Sequence, residues 1–401
     1  MLTVQESLAI VTREARPLVA TSLALSRAAG ALLAEPLYMD IDSPPFDRAM
    51  VDGFALLSAD ARAGASLRIV GRQDAGGPLF PGPLLPGQAL GINTGAPLPA
   101  GADAVVMVEH TRVEGATVML QRPLAAGQGM QKRGADARAG QRILEACQTL
   151  HAAQMALAAM AGAAQVAVRR ARVAILTTGD ELVPIAATPG PGQIRNSNGP
   201  MMAELVRHTG AEVLDLGVVG DREADLRAML ERGLAEADLL LVSGGMSMGT
   251  RDLVPPLLTE LGVAIHIAKL RIKPGKPFIF GTRDGASGRK YVAGLPGNPV
   301  SAFVTFHRFV RAILGALTGE RDVDRSSAGC TTVALEANGD RAFYRPCAVA
   351  VDAATARVQL TPLAWKGSAD LFTLGQAQGL LIREPGAPAV EAGAVVPVLL
   401  L

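Results

Sequence analysis

The sequence has little of what would mark a stapled, nucleic-acid-binding or membrane-embedded chain. Three cysteines, Cys147, Cys330 and Cys347, are scattered over 401 residues with no CxxC pair or Cys/His group among them. An odd, dispersed set argues against a disulfide framework and reads as buried or incidental thiols in a reducing compartment. Charge of one sign is also missing. Thirty-eight basic residues face 37 acidic ones, and the densest basic patch is only Arg169 to Arg172, so no nucleic-acid-binding surface is expected. No apolar stretch reads as long enough for a membrane span, the alanine-rich segment from Ala152 to Ala164 being short and mildly apolar. The start, MLTVQESLAI, has no basic region followed by an apolar core, so no secretory signal is expected and the reading is a cytoplasmic protein.

What is present is alternation of textures. A chain of this length exceeds one hydrophobic core, and two to four domains are expected. Thr3 and Glu6 form a potential capping box at the start of a helix lined by Leu8, Ile10 and Val11. From Pro36 to Pro99 prolines and glycines recur between short apolar runs, which reads as a small β domain, with Ala104 to Glu109 and Thr117 to Leu120 as further strands. Gln154 to Ala164 reads as an Ala- and Met-rich helix. If the β domain is an insertion, the two helices would pack together on either side of it. From Arg172 the pattern is βαβ: strands at Val173 to Leu176, Glu212 to Val218 and Asp238 to Val242 alternate with helices beginning near Ser197 and after Asp221. Such alternation implies a parallel sheet with helices on both faces. The remainder, from about Asp322, is strand-like and reads as an aromatic-poor small β domain.

Ligands of open α/β sheets sit beyond the carboxyl ends of the strands. Three loops emerge there: LTTGDEL (Leu176 to Leu182), VVGDRE (Val218 to Glu223) and VSGGMSMGTRD (Val242 to Asp252). Ser243, Gly244 and Gly245 follow a buried-looking strand, where glycines let backbone N–H groups approach an anion; alone they are equally a tight turn. The same edge receives Asp180, Glu181, Asp221 and Asp252. Carboxylates gathered without partners repel one another, so the group calls for cations, either lysines or a hard metal such as Mg²⁺. Singly, each acid is also a helix cap or a solvated charge, Asp221 above all. Candidate cations lie in AKLRIKPGKPFIFG, where Lys269, Lys273 and Lys276 surround the turn at Pro274, Gly275 and Pro277. Phosphate or oxyanion binding and protection of a solvated edge strand both account for them. In GLPGNPVSAFVTFHRF, Asn298 is placed as a helix N-cap and Pro299 at the first helical position, with Ala302, Phe303 and Phe306 on the apolar face. Two prolines and two glycines in GLPGNP also fix the backbone tightly enough to shape a pocket.

Taken in order, SPPFDRAMVDGFAL, INTGAPLPAGADAVV, TTGDEL, QIRNSNGPMM, SGGMSMGTRD, KLRIKPGKP, GLPGNPVSAF and GSADLFTLGQAQGLL resemble motifs of the MoeA family, the molybdopterin molybdenumtransferases that also form the E domain of gephyrin-like proteins. The resemblance covers nearly the whole chain. It implies an α/β plus β multidomain fold: a discontinuous linking domain I (1–35 and 132–170), an inserted β domain II (36–131), a doubly wound, molybdopterin-binding-like α/β domain III (171–318) and a C-terminal β domain IV (322–401). It implies a homodimer with the active site between subunits. The implied reaction hydrolyses adenylylated molybdopterin and inserts molybdate into its dithiolene, releasing AMP, with Mg²⁺ as cofactor. By motif match Asp52, Glu181, Asp221, Asp252, Lys269 and Lys273 carry over as catalytic, with Asp221 and Asp252 as metal ligands. Thr94, Asp180, Ser243, Gly244, Gly245, Lys276, Pro296 and Pro299 carry over as substrate-binding. Val51, Phe54 and Arg271 stand where many relatives differ, which bears on substrate fit more than on reaction class.

No separate adenylyltransferase domain is visible, so a molybdopterin adenylyltransferase upstream and molybdoenzyme maturation factors downstream are the expected partners. Adenylylation of molybdopterin by this chain itself is the rival enzyme reading, which three extra domains argue against. A non-enzymatic scaffold is the other, against which the intact set of acids and lysines counts. A nicotinamide site lacks its GxGxxG after the first α/β strand. Molybdate and tungstate are similar tetrahedral dianions, and no motif separates them.

Overall fold

The computed structural model describes residues 1–246, 252–285, 288–320 and 326–401. The chain divides into two compact units, one of residues 1–35, 146–152 and 165–401 and the other of residues 36–145 and 153–164. The expected start of a C-terminal domain at Asp322 and the middle of the VSGGMSMGTRD loop, 247–251, lie outside the described residues.

In the first unit, helix α1 (Val4–Glu14) opens on the capping box read from the sequence. The Glu6 backbone N–H donates to Thr3 Oγ1 at 3.1 Å and the Thr3 N–H to Glu6 Oε2 at 2.8 Å. Its apolar face, Val4 and Val11, is buried in the large core beneath the α/β sheet. The Ala-rich helix, α2, runs Ala152–Met160, and residues 153–164 belong to the second unit.

The second unit is built on a six-stranded sheet in the order Ala104–Met107, Gly53–Leu56, Gln88–Ile92, Ser66–Gln73, Thr117–Leu120 and Thr111–Glu114. Side chains alternate across a strand with period two. Ala104 and Val106 accordingly enter one core with Leu56 and Leu120, while Val105 enters another with Ala55 and Ile92.

The α/β sheet of the first unit comprises β1 (Arg172–Thr178), β2 (Glu212–Val219), β3 (Leu239–Ser243), β4 (Ala264–Lys269), β5 (Pro277–Gly285) and β6 (Gly288–Leu295), in the order β2-β1-β3-β6-β5-β4. The four strands β2, β1, β3 and β6 pair in parallel. The β6–β5 and β5–β4 pairs are antiparallel, so the sheet is mixed and not wholly parallel as the alternation had implied. The runs Val173–Leu176 and Leu239–Val242 are continuously apolar because both faces are covered. Val173, Ile175, Leu239 and Leu241 face one core with α3 (Asn198–Arg207), and Ala174, Leu176, Leu240 and Val242 face another with α4 (Glu223–Glu236) and α5 (Val254–Glu260). The chain leaves β1 to one side for β2 and returns to the other for β3, which opens a crevice at the carboxyl ends of β1 and β3.

The last helix of this layer, α6, spans Pro299–Thr318, with one π turn at Phe306–Val310. By length and composition it could cross a membrane, with mean hydropathy 1.4, which corrects the sequence reading that no stretch was long enough. Arg308 and Arg311 interrupt its apolar run in sequence. In the fold most of this helix is buried, and Phe306, Phe309, Ile313 and Leu317 join the main core.

The C-terminal segment forms a closed barrel. Ala342–Val351 pairs with Val358–Pro362 on one side and Gly379–Arg383 on the other, and Ser326–Thr331 and Val395–Leu400 complete the ring. Short Ile272–Lys273 adds to it in parallel beside Ala342–Phe343. This segment is not aromatic-poor as read: it holds Phe343, Tyr344, Phe372 and Trp365, the one tryptophan of the chain.

Candidate active site

The three loops predicted to share an edge do so. Thr177 and Thr178 end β1, Asp221 follows β2, Ser243 ends β3 and Gly244 and Gly245 follow it; together with Glu181, Asp252, Pro296 and Pro299 they line one cavity of about 630 Å³. The turn after β3 needs its glycines. Gly244 has φ +96° and Gly245 φ +62°, and a Cβ on Gly244 would come within 2.2 Å of the Thr178 carbonyl oxygen. The Gly244 N–H donates to the Leu295 carbonyl at 3.3 Å. The first N–H of the pair is therefore committed to the sheet.

Asp221 does not cap α4, contrary to one sequence reading. The cap position is Arg222, with no side-chain cap bond. Instead Thr178 Oγ1 donates to Asp221 Oδ1 at 2.9 Å, and the Asp221 N–H donates to Asp180 Oδ1 at 2.9 Å. Asp180 thus orients the loop from behind, while Asp221, Glu181 and Asp252 reach the cavity wall. Asn298 occupies the cap position of α6 with Pro299 first in the helix, but its side chain makes no cap bond and its Nδ2 donates to Ser368 Oγ at 3.0 Å.

Asn198 was not singled out by sequence, although it lies in QIRNSN. It is 8% exposed, and its Nδ2 donates to Ser243 Oγ and to the Gly297 carbonyl, both at 2.8 Å. One amide therefore ties the turn after β3 to GLPGNP. The neighbouring Asn196 donates to Thr177 Oγ1 at 2.9 Å.

A second cavity of about 660 Å³ adjoins the first and shares Pro277, Pro296 and Asn298 with it. Its walls carry Lys273 and Lys276 from the predicted lysine turn, which is closed by the Leu270 N–H donating to the Lys276 carbonyl at 2.9 Å. They also carry Arg341, Arg345 and Lys366, which sequence reading missed. Among the described residues five cations line it and no carboxylate does. Ser301 and Ser368 add hydroxyls, and Phe343 and Trp365 an aromatic wall. The charge character of these residues was legible; their convergence, from a barrel some seventy positions downstream, was not. Lys269 lines neither cavity. It ends edge strand β4, where its carbonyl accepts the Leu2 N–H at 3.1 Å.

In the second unit Asp52 and Thr94 come together as a pair. The Thr94 N–H donates to Asp52 Oδ1 at 2.7 Å and its hydroxyl to the same oxygen at 3.2 Å. These two bonds, the backbone one first, hold the Asp52 carboxyl below its ordinary range. The pair thus favours the ionised form of a solvent-exposed carboxylate.

Among the described residues no group of three or more His, Cys, Asp or Glu is placed to hold a metal. Asp221 and Asp252 on one cavity wall still match Mg²⁺, a hard ion that takes one or two carboxylates and fills its shell with water and substrate phosphate oxygens.

Three family models match in chain order: the MoeA N-terminal region (domains I and II) over residues 2–162, a probable molybdopterin binding domain over residues 174–316, and the MoeA C-terminal region (domain IV) over residues 329–401. The molybdopterin molybdenumtransferase of Nostoc sp. is 40% identical over 297 residues, 72% of this chain and 67% of that protein. That of Staphylococcus aureus is 27% identical over 99% of this chain and 95% of its own length. Among solved structures, the molybdopterin biosynthesis MoeA protein of Pyrococcus horikosii superposes with a TM-score of 0.79 at 29% identity, covering 100% of this chain and 99% of that one. The order of the matched regions, the site-bearing α/β domain and the C-terminal barrel agree, and the chain belongs to the MoeA family of molybdopterin molybdenumtransferases.

Proposed function

We propose that this enzyme of molybdenum cofactor biosynthesis takes adenylylated molybdopterin and molybdate, hydrolyses the phosphoanhydride, and releases AMP as molybdate enters the dithiolene. The observation that carries the reading is the pair of adjoining cavities with opposite lining. Among the described residues, one has a glycine turn and three carboxylates, as a nucleotide with a metal requires; the other has five cations and no acid, as a free oxyanion requires.

In this reading the Gly245 N–H faces a phosphate, and Asp221, held by Thr178, and Asp252 hold Mg²⁺, with Glu181 beside them orienting water. Bound there, Mg²⁺ supplies neutralisation of charge on phosphate oxygens. Lys273 and Lys276 hold molybdate, with Arg345 fixed in place by donating through Nη2 to the Leu363 carbonyl at 3.0 Å. Pro296 and Pro299 shape the wall of the first cavity, and Pro296 belongs to the partition shared with the second. As the family resemblance implies, the enzyme acts in the cytoplasm as a homodimer with its active site between subunits, to which Asp52 and Thr94 contribute.

Incubation with adenylylated molybdopterin, molybdate and Mg²⁺ tests the reading. AMP and active cofactor should appear together, and Asp252→Ala should abolish both in a folded protein. AMP release without cofactor refutes it, and AMP transfer from ATP onto free molybdopterin would assign the adenylylation step instead.

A further inference from the structure

Lys273 is the cation of the second cavity whose neighbour is a ring. Its Nζ lies 4.9 Å from the centre of the Phe343 ring. Phe343 in turn packs on Trp365, ring centres 5.6 Å apart and inclined by 33°. The backbone sets this up: Ile272–Lys273 pairs in parallel with Ala342–Phe343, with Lys273 opposite Phe343. Among the described residues no carboxylate lines this wall to fix the four-carbon stem of Lys273, and one placed there would both neutralise the charge and occupy its N–H donors. A ring face attracts the ammonium through its quadrupole and accepts no conventional hydrogen bond. The charge and the donors of Lys273 stay directed at an anion.

We propose that Phe343 is a positioning residue for oxyanion binding: its ring face, backed by Trp365, holds the Lys273 ammonium against the cavity. The proposal rests on the oxyanion reading of that cavity and deepens it. The worth of a cation–π contact at a partly exposed site predicts that Phe343→Leu weakens molybdate binding by roughly two- to fivefold.

A double-mutant cycle read by calorimetric titration of molybdate tests it, with Phe343→Leu, Phe343→Tyr, Lys273→Met and Lys273→Met/Phe343→Leu. Phe343→Tyr, which keeps the ring face, should bind within about twofold of wild type. Phe343→Leu should weaken binding in the wild-type background and have no further effect once Lys273 is gone, while AMP affinity at the first cavity stays unchanged in Phe343→Leu. An equal loss from Phe343→Leu with and without Lys273 overturns the proposal, since Phe343 would then act by packing alone. So does an unchanged affinity in Phe343→Leu. Wild-type protein that fails to bind molybdate at all, yet binds AMP, overturns the oxyanion reading and this proposal with it.

Discussion

Replacing Gly244 by alanine adds one carbon where the turn after β3 meets the end of β1. At φ +96° an L-residue carries a backbone penalty of about 1–2 kcal/mol. The new Cβ would also lie 2.2 Å from the Thr178 carbonyl oxygen, a backbone atom that cannot rotate away. Opening that gap by about 1 Å is overpacking of a kind that costs roughly 1–3 kcal/mol. Together the loss should be about 2–5 kcal/mol. Gly217→Ala is the matched control: φ is +78° and a Cβ there would have no atom within 4 Å, so only the backbone penalty of about 1–2 kcal/mol applies. A chain of two units need not unfold in one step. The loss is therefore read as the urea dependence of hydrogen-exchange protection of β1 and β3 amides, alongside AMP titration. Gly244→Ala should cost clearly more than Gly217→Ala and weaken AMP binding, which Gly217→Ala should leave alone. Equal costs and equal AMP affinities would refute the close approach on which the site geometry rests.

Three further outcomes follow from single contacts. Thr178→Val removes the donor to Asp221 Oδ1 and should weaken Mn²⁺ binding in the presence of AMP by roughly tenfold, measured by electron paramagnetic resonance, with Thr178→Ser close to wild type. Asn198→Leu leaves Ser243 Oγ and the Gly297 carbonyl without their shared donor in a buried place, at a cost of about 2–5 kcal/mol in urea unfolding of the α/β unit. Asp52, with its folded pKa depressed, gives a stabilising contribution that is present at neutral pH and disappears as pH falls through the folded value, below the ordinary carboxylate range. Carbon-13 carboxyl titration should show it there, and Thr94→Val should raise it only part of the way, because the backbone N–H, the larger cause, remains.

The parts of the fold legible in sequence were those set by local pattern. Thr3 and Glu6 announce their capping box by spacing alone, and Leu239–Ser243 reads as a buried strand because both of its faces are apolar. The edge shared by TTGDEL, the Asp221 loop and SGG follows from βαβ topology. What stayed hidden depends on where distant segments meet. Capping and loop anchoring look alike for Asp221 until Thr178 is placed beside it. Lys269 and Lys273 are four residues apart in sequence, yet one ends an edge strand and the other lines a cavity, because the turn closed by Leu270 and Lys276 separates them. Arg341, Arg345, Phe343 and Trp365 matter through the barrel that brings them to that turn, and nothing local marks them. The membrane-length α6 was missed because Arg308 and Arg311 break its apolar run, while the fold buries most of the helix.

Diffraction from crystals grown with AMP, molybdate and Mg²⁺, with data at the molybdenum absorption edge, bears most directly on the two-cavity account. The anomalous peak should lie among Lys273, Lys276 and Arg345, with the AMP phosphate in the neighbouring cavity at Gly245, near Asp221 and Asp252. Molybdenum bound away from those cations, or AMP outside the cavity at the carboxyl ends of β1 and β3, would contradict it.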